Sequence, residues 1–168
     1  MPQAVVHVLF TIIALDLVRD HLLKNKRKMP LHYIFIGGVA GLLSDIDVPF
    51  FWLIKNFLGF DVPWFHRIFT HTFLFASIFL ALSLVFYDIN RKWSEIFGIT
   101  TFGVVFHIFL DWFFVGAIAP FYPFSGTVYS LNILGRLGLP LAVEGFEATV
   151  LLWWLWHEEK THKISDFI

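Results

Sequence analysis

Seven side chains have the chemistry of metal ligands and lie in or beside strongly apolar segments: His7, Asp45, Asp47, His66, His71, His107 and Asp111. Ionisable groups are expensive in such surroundings and tend to mark a function. His107-Ile-Phe-Leu-Asp111 places an imidazole and a carboxylate at i and i+4, a turn apart on one helical face. Two such donors can hold one ion or bridge two; a His–Asp hydrogen bond inside a helix bundle is the plainer alternative. Ser44-Asp45-Ile46-Asp47 ends an apolar segment just ahead of Pro49, which disfavours helix at Val48. Its two carboxylates could share a cation, or Ser44 or Asp45 could cap the next helix.

His66-Arg67-Ile68-Phe69-Thr70-His71 spaces its imidazoles by five, so they do not share a helical face. The string predicts a loop His66 leading into a helix, with Thr70 near the N-cap and His71 in the first turn. Arg67 would project close by, suited to holding a phosphate or carboxylate bidentately. His7, between Val6 and Val8, would by itself read as a core histidine. Glu144 could be a ligand or general base, or a buried partner of Arg136; Glu147 lies a helical turn deeper. Tyr122 and Ser125 sit in a Tyr-Pro-Phe-Ser string that could contact a head group. His21, His32, His157 and His162 read as solvated.

The elements that must carry these groups are apolar helices. The 168 residues are 58% hydrophobic, 20% aromatic and only 15% charged, with 22 Phe and 7 Trp. Soluble domains run at about 45–50% apolar and about 25% charged. Phe and Trp in such excess suit side chains that face lipid or sit at its interface. The net charge of −1 gives no electrostatic case for nucleic acid. Cysteine is absent, so any metal must be held by His and carboxylates. The composition fits one domain, residues 1–168, in the all-α class: a polytopic integral membrane helix bundle of about five transmembrane helices.

The five segments run from about Gln3 to Leu22, Leu31 to Ile46, Thr70 to Tyr87, Ser94 to Ile118 and Leu139 to Trp156. Phe50 to Phe60 is too short to span, since a span needs about 20 residues, and reads as interfacial or re-entrant. Gly37, Gly38 and Gly41 in the second segment favour close helix packing. The first segment has no basic residue ahead of it and no evident cleavage site, so it reads as a retained helix. The basic clusters at Lys24–Lys28, Arg91–Lys92 and Lys160–Lys163 mark the cytoplasmic loops, with the N-terminus outside and the C-terminus inside. Measured from those loops at about 1.5 Å per residue, His7, Asp45, His71, His107, Asp111 and Glu144 all fall roughly 22–30 Å away, in one layer near the outer face.

The order of these motifs is a His in the first helix, a Gly-rich segment ending in Asp-x-Asp, His-Arg-x-x-Thr-His, His-x-x-x-Asp and a Tyr-Pro-Phe-Ser loop. It resembles the LexA-regulated, membrane-bound metal-dependent hydrolase family of the inner membrane, from about Val5 to Glu147. That family usually has Pro where this chain has Ser44, Gly where it has Ile68 and Ser where it has Thr72; the histidines and carboxylates match. The resemblance implies a metal-dependent hydrolase. A weaker likeness, to zinc-dependent phospholipase C and the single-strand nucleases, implies phosphoester substrates.

Together these readings give an expectation of two or three divalent ions, zinc first with Mn or Mg as alternatives. The ions would be held by the seven His and Asp residues, with Arg67 on the phosphate and Glu144 on the water. The substrate would be a lipid or other amphiphilic phosphoester. The alternative is a metal-ion or proton transporter using the same cluster, in which only Asp16 hints at a polar path toward the cytoplasm.

Overall fold

A computed structural model describes residues 4–23, 29–59, 69–114, 117–133, 136, 150–154, 156–157 and 160. Packing separates the chain into two compact units, Met1–Ile133 and Leu134–Ile168. The described residues are mostly helical and contain no strand, only an isolated antiparallel bridge between Ile118 and Tyr129.

In the first unit, helix α1 (Ala4–Leu17) runs directly into a π-helical turn, Val18–Leu22. Helix α2 (Leu31–Ala40) starts after Pro30 and presents glycines to its neighbours. A Cβ on Gly38 would fall 2.6 Å from Cγ1 of Ile12, and one on Gly37 would overlap Cδ1 of Leu15. The missing side chains are what bring α1 and α2 together. Gly103 does the same on the other side. Its Cβ would lie 2.8 Å from the Gly37 carbonyl oxygen and 3.0 Å from the Gly41 nitrogen. Backbone close approach through small residues is the usual way helices associate in lipid.

After α2 the chain turns at Gly41 and Leu42, makes a 3-10 turn at Leu43–Ile46, and continues as α3 (Asp47–Leu58). The two halves of this region are bent by 41°. Neither Ser44 nor Asp45 caps α3: Ile46 precedes it, with no side-chain cap. Pro49 does not keep Val48 out of the helix. It occupies the first turn of α3, where its missing N–H has no intrahelical acceptor to lose.

Helix α4 (Phe73–Ile89) and helix α5 (Arg91–Phe114) are separated only by Asn90. The Asn90 Oδ1 accepts from the Lys92 nitrogen at 3.1 Å and starts α5 as an N-cap does. Beyond α5 the chain folds back. The Phe73 N–H donates to the Pro120 carbonyl at 2.8 Å, and the Leu131 N–H to that of Trp112 at 3.0 Å. The 117–131 segment is thereby fixed against the start of α4 and the end of α5.

Beside its apolar core this unit buries many polar side chains and exposes many large apolar ones. The buried set includes His7, Thr11, Asp16, Ser44, Asp47, His71, Thr100, His107 and Asp111, while Phe35, Trp52, Phe57, Leu84, Val85 and Trp93 are exposed. Exposed large apolar side chains in this number match a lipid surround. Helix α5, with 24 residues, is long and apolar enough to cross a membrane, and the bent Leu31–Leu58 region is a second span if counted as one. Helix α4 is apolar but has 17 residues. The first four expected segments are helical over most of their lengths. Most of the fifth lies outside the described residues.

In the second unit the described residues from Val150 onward are helical; Lys160 Nζ stands 4.1 Å over the Trp156 ring.

Candidate metal centre

Helix α1 brings His7, the 3-10 turn brings Asp45, the turn ahead of α4 brings His71, and α5 brings His107 and Asp111. The i, i+4 spacing on α5 works as geometry requires, with both side chains on the face turned to α1 and α2. His71 Nε2 is 3.2 Å from His107 Nε2, 3.3 Å from Asp111 Oδ2 and 3.5 Å from Asp45 Oδ1. His107 Nε2 is 3.7 Å from Asp45 Oδ1 and 3.9 Å from Asp111 Oδ2. His7 Nε2 lies 3.5 Å from the other Asp111 oxygen, Oδ1, and its ring stacks on that of His107 with centroids 3.8 Å apart. His7, His71, His107 and Asp111 are at most 1% exposed; Asp45 is 28% exposed and forms the open side.

Hydrogen bonds around this cluster orient the rings. His107 Nδ1 donates to the Gly41 carbonyl at 2.6 Å, and a carbonyl can only accept. In the neutral ring, Nε2 then carries the lone pair. Thr70 plays the same part for His71. Its hydroxyl donates to Asp47 Oδ2 at 3.1 Å, so its oxygen accepts from His71 Nδ1 at 3.2 Å. Both rings point a lone pair inward, and the carboxylate oxygens beside them are acceptors as well. Acceptors facing one another at such distances call for a positive centre among them. The partner of a ligand histidine's second nitrogen is the familiar outer support of metal sites.

The donor set fits a divalent ion. Imidazole and carboxylate suit zinc, with bonds of about 2.0–2.2 Å whose tetrahedral edges are roughly 3.3–3.5 Å. The donor separations given above cluster about that edge. Two donor triads form among the described residues, His7–Asp45–His107 and His71–His107–Asp111. They share His107, whose one inward nitrogen can serve one ion. Asp111 turns its two oxygens toward different histidines, as a bridging carboxylate does.

Of the other expected residues, Asp47 is in neither triad; it reaches the cluster through Thr70. Thr70 is not the N-cap of α4 and His71 is not in its first turn. Thr72 caps the helix, its hydroxyl accepting from the Phe75 nitrogen at 3.1 Å, and His71 precedes it. The reason is local: Thr72 has the extended backbone a cap needs, and its hydroxyl, donating to the Phe69 carbonyl at 2.7 Å, turns its oxygen to the Phe75 nitrogen. His66, Arg67, Glu144 and Glu147 lie outside the described residues. Sequence reasoning missed the supporting roles of Thr70 and of the Gly41 carbonyl. The Thr directly before a ligand-type His was the one visible signal for the first; a backbone oxygen leaves none.

No curated protein and no solved structure matches the chain. The family described as YdjM inner membrane protein matches over residues 1–164, almost end to end, and the chain belongs to that family of inner membrane proteins.

Proposed function

We propose that this inner membrane protein is a metal-dependent hydrolase that cleaves a phosphoester of a lipid or other amphiphile. The observation that carries the reading is the inward convergence of His71 and His107 Nε2, each held by a bond from its Nδ1, on the carboxylates of Asp45 and Asp111. Four separated chain segments supply the cluster, which gathers three imidazoles and two carboxylates. A bound divalent ion, zinc before Mn or Mg, supplies an activated water and stabilises charge developing on phosphoryl oxygens.

The chain's own residues have definite tasks. His7, Asp45, His71, His107 and Asp111 hold the ion, and the two-sided Asp111 leaves room for a second or third. The exposed edge of Asp45 gives substrate its approach. Arg67 binds the phosphate, and Glu144 orients or deprotonates the water. The topology that goes with this reading has five spans, the N-terminus outside, the C-terminus cytoplasmic and the centre near the outer face, where amphiphiles present their head groups.

The test is elemental analysis of the protein purified into lipid nanodiscs, with a phosphoester screen before and after EDTA. Two zinc per chain, and hydrolysis lost with EDTA and restored by zinc, are expected. Metal-free protein, or hydrolysis indifferent to EDTA, would reject the reading.

A second reading, metal or proton transport, has one observation in its favour. Asp16 is buried on α1 with Arg19 Nη1 3.6 Å away, and Asp20 lies 3.7 Å from the same nitrogen in the π-helical turn. Metal uptake into proteoliposomes without hydrolysis would select it.

A further inference from the structure

A ligand imidazole is held by a bond to its second nitrogen, and two of the three rings in the centre have such a bond. His107 Nδ1 donates to the Gly41 carbonyl at 2.6 Å, and His71 Nδ1 lies 3.2 Å from the Thr70 hydroxyl. His7 is the exception. It is 1% exposed, and its Nδ1 has no hydrogen-bond partner among the described residues. Ser44, next to Asp45 in the chain, is fully buried, and its Oγ likewise has no partner among the described residues. Buried polar atoms are bonded as a rule, so each of these calls for an explanation.

The backbone sets Ser44 among the supports of the centre. Gly41 and Leu42 have φ/ψ of −59°/−17° and −91°/−9°, close to 3-10 values, and the 3-10 turn Leu43–Ile46 follows them. At three residues per turn, Gly41, Ser44 and Asp47 share one face. All three are buried, whereas Leu42, Leu43, Asp45 and Ile46 between them are half-buried or exposed. This inward stripe serves the centre at both ends. Gly41 accepts from His107, and Asp47 accepts from Thr70, which orients His71. Ser44 stands between the two.

Helix α1 faces the same stripe and runs antiparallel to it. A Cβ on Gly38 would meet Ile12 and Val8, and one on Gly41 would lie 3.0 Å from Thr11 Oγ1 and 3.2 Å from the His7 carbonyl oxygen. Each step up α2 is thus a step down α1. One turn beyond Gly41, Ser44 faces the part of α1 just N-terminal to the His7 backbone. The His7 side chain leans that way, because helical side chains point back toward the N-terminus. The His7 carbonyl is itself taken by the Thr11 hydroxyl at 2.6 Å, which leaves the ring as the polar group for Ser44 to meet.

We infer that Ser44 is a positioning residue of the metal centre. Its hydroxyl oxygen accepts from His7 Nδ1–H when the ion is bound, and so keeps the Nε2 lone pair of that ring on the ion. The inference rests on the metal-centre reading above and gives His7 the support that Gly41 gives His107 and Thr70 gives His71. Bonds of this kind are often long without the bound species and tighten with it. The hydroxyl has no bond to the rest of the fold among the described residues, so its removal is felt by the ion and not by the packing.

The test compares full-length Ser44→Ala with the unsubstituted protein in nanodiscs. Zinc affinity is read by competition with a chelator of known affinity, and thermal unfolding in EDTA reads the fold alone. Ser44→Ala is expected to bind zinc about tenfold more weakly, at full stoichiometry once saturated. Its midpoint in EDTA should be no lower than that of the unsubstituted protein. A lower midpoint with native zinc affinity would make Ser44 a packing residue and overturn the inference.

Solid-state nitrogen NMR of the histidine-labelled, zinc-loaded protein reads the bond itself. His7, identified by the signal lost in His7→Gln, should carry a hydrogen-bonded proton on Nδ1, and Ser44→Ala should shift that resonance. A His7 that binds zinc through Nδ1, or does not bind it, would overturn the inference even if Ser44→Ala misfolds. Unsubstituted protein that takes up no zinc would sink the metal-centre reading itself. Zinc held equally well by both proteins would remove only the role of Ser44.

Discussion

His71 and His107 aim their Nε2 atoms at each other across 3.2 Å, while Nδ1 of the first is held by Thr70 and Nδ1 of the second by the Gly41 carbonyl. Two neutral imidazoles so fixed repel through their lone pairs unless a cation or proton stands between them. On the proposed reading, a divalent ion held together with the two carboxylates alongside would occupy this position.

From this follows the first expectation. His71→Ala and Asp111→Ala should each abolish stoichiometric zinc while the protein still inserts, because neither removes an apolar face that lipid contacts. Elemental analysis of nanodisc-purified variants is the measurement. Unchanged zinc in both would take them off the ligand set.

Thr70 and Asp47 make a different expectation, because they act through His71. Thr70→Val removes the acceptor that orients the ring, and zinc affinity should fall about 10–100-fold with full stoichiometry at saturation. Asp47→Asn should do the same more mildly, since an amide oxygen still accepts from Thr70. Competition with a chelator of known affinity reads both. A loss of stoichiometry in Asp47→Asn would make Asp47 a ligand itself.

What the sequence made legible, and what it hid, divides along physical lines. Periodicity and ligand chemistry travel with the residue, so His107 and Asp111 could be paired from their spacing, and His7 and Asp45 joined to them from shared depth. The helical class followed from apolar run lengths. Contacts that depend on tertiary geometry were invisible: the Gly41 carbonyl becomes a partner of His107 only because α2 and α5 cross there. Pro49 was misjudged because its effect depends on position, and a first-turn proline breaks nothing. Thr70 and Thr72 are chemically alike, and only the backbone geometry of the turn decides which one caps α4.

Gly103 connects packing to chemistry. It is buried on α5 one turn before His107, with the backbone of Gly37 and Gly41 where its Cβ would be. Gly103→Ala must push α2 away, and overpacking of this kind costs about 1–3 kcal/mol. The same shift lengthens the bond from His107 to Gly41. A lower thermal midpoint and weakened zinc binding should therefore come together. Full zinc affinity in a destabilised Gly103→Ala would show that the crossing and the centre are independent.

The last expectation concerns pH. A bound divalent ion requires neutral imidazoles and competes with protons for them. Zinc affinity should therefore rise with pH through the range in which histidine titrates, around 6.5. The stabilisation that zinc gives over EDTA in thermal unfolding, followed across this range, should grow as pH increases. A zinc stabilisation that does not change with pH would mean that zinc does not bind through the histidines.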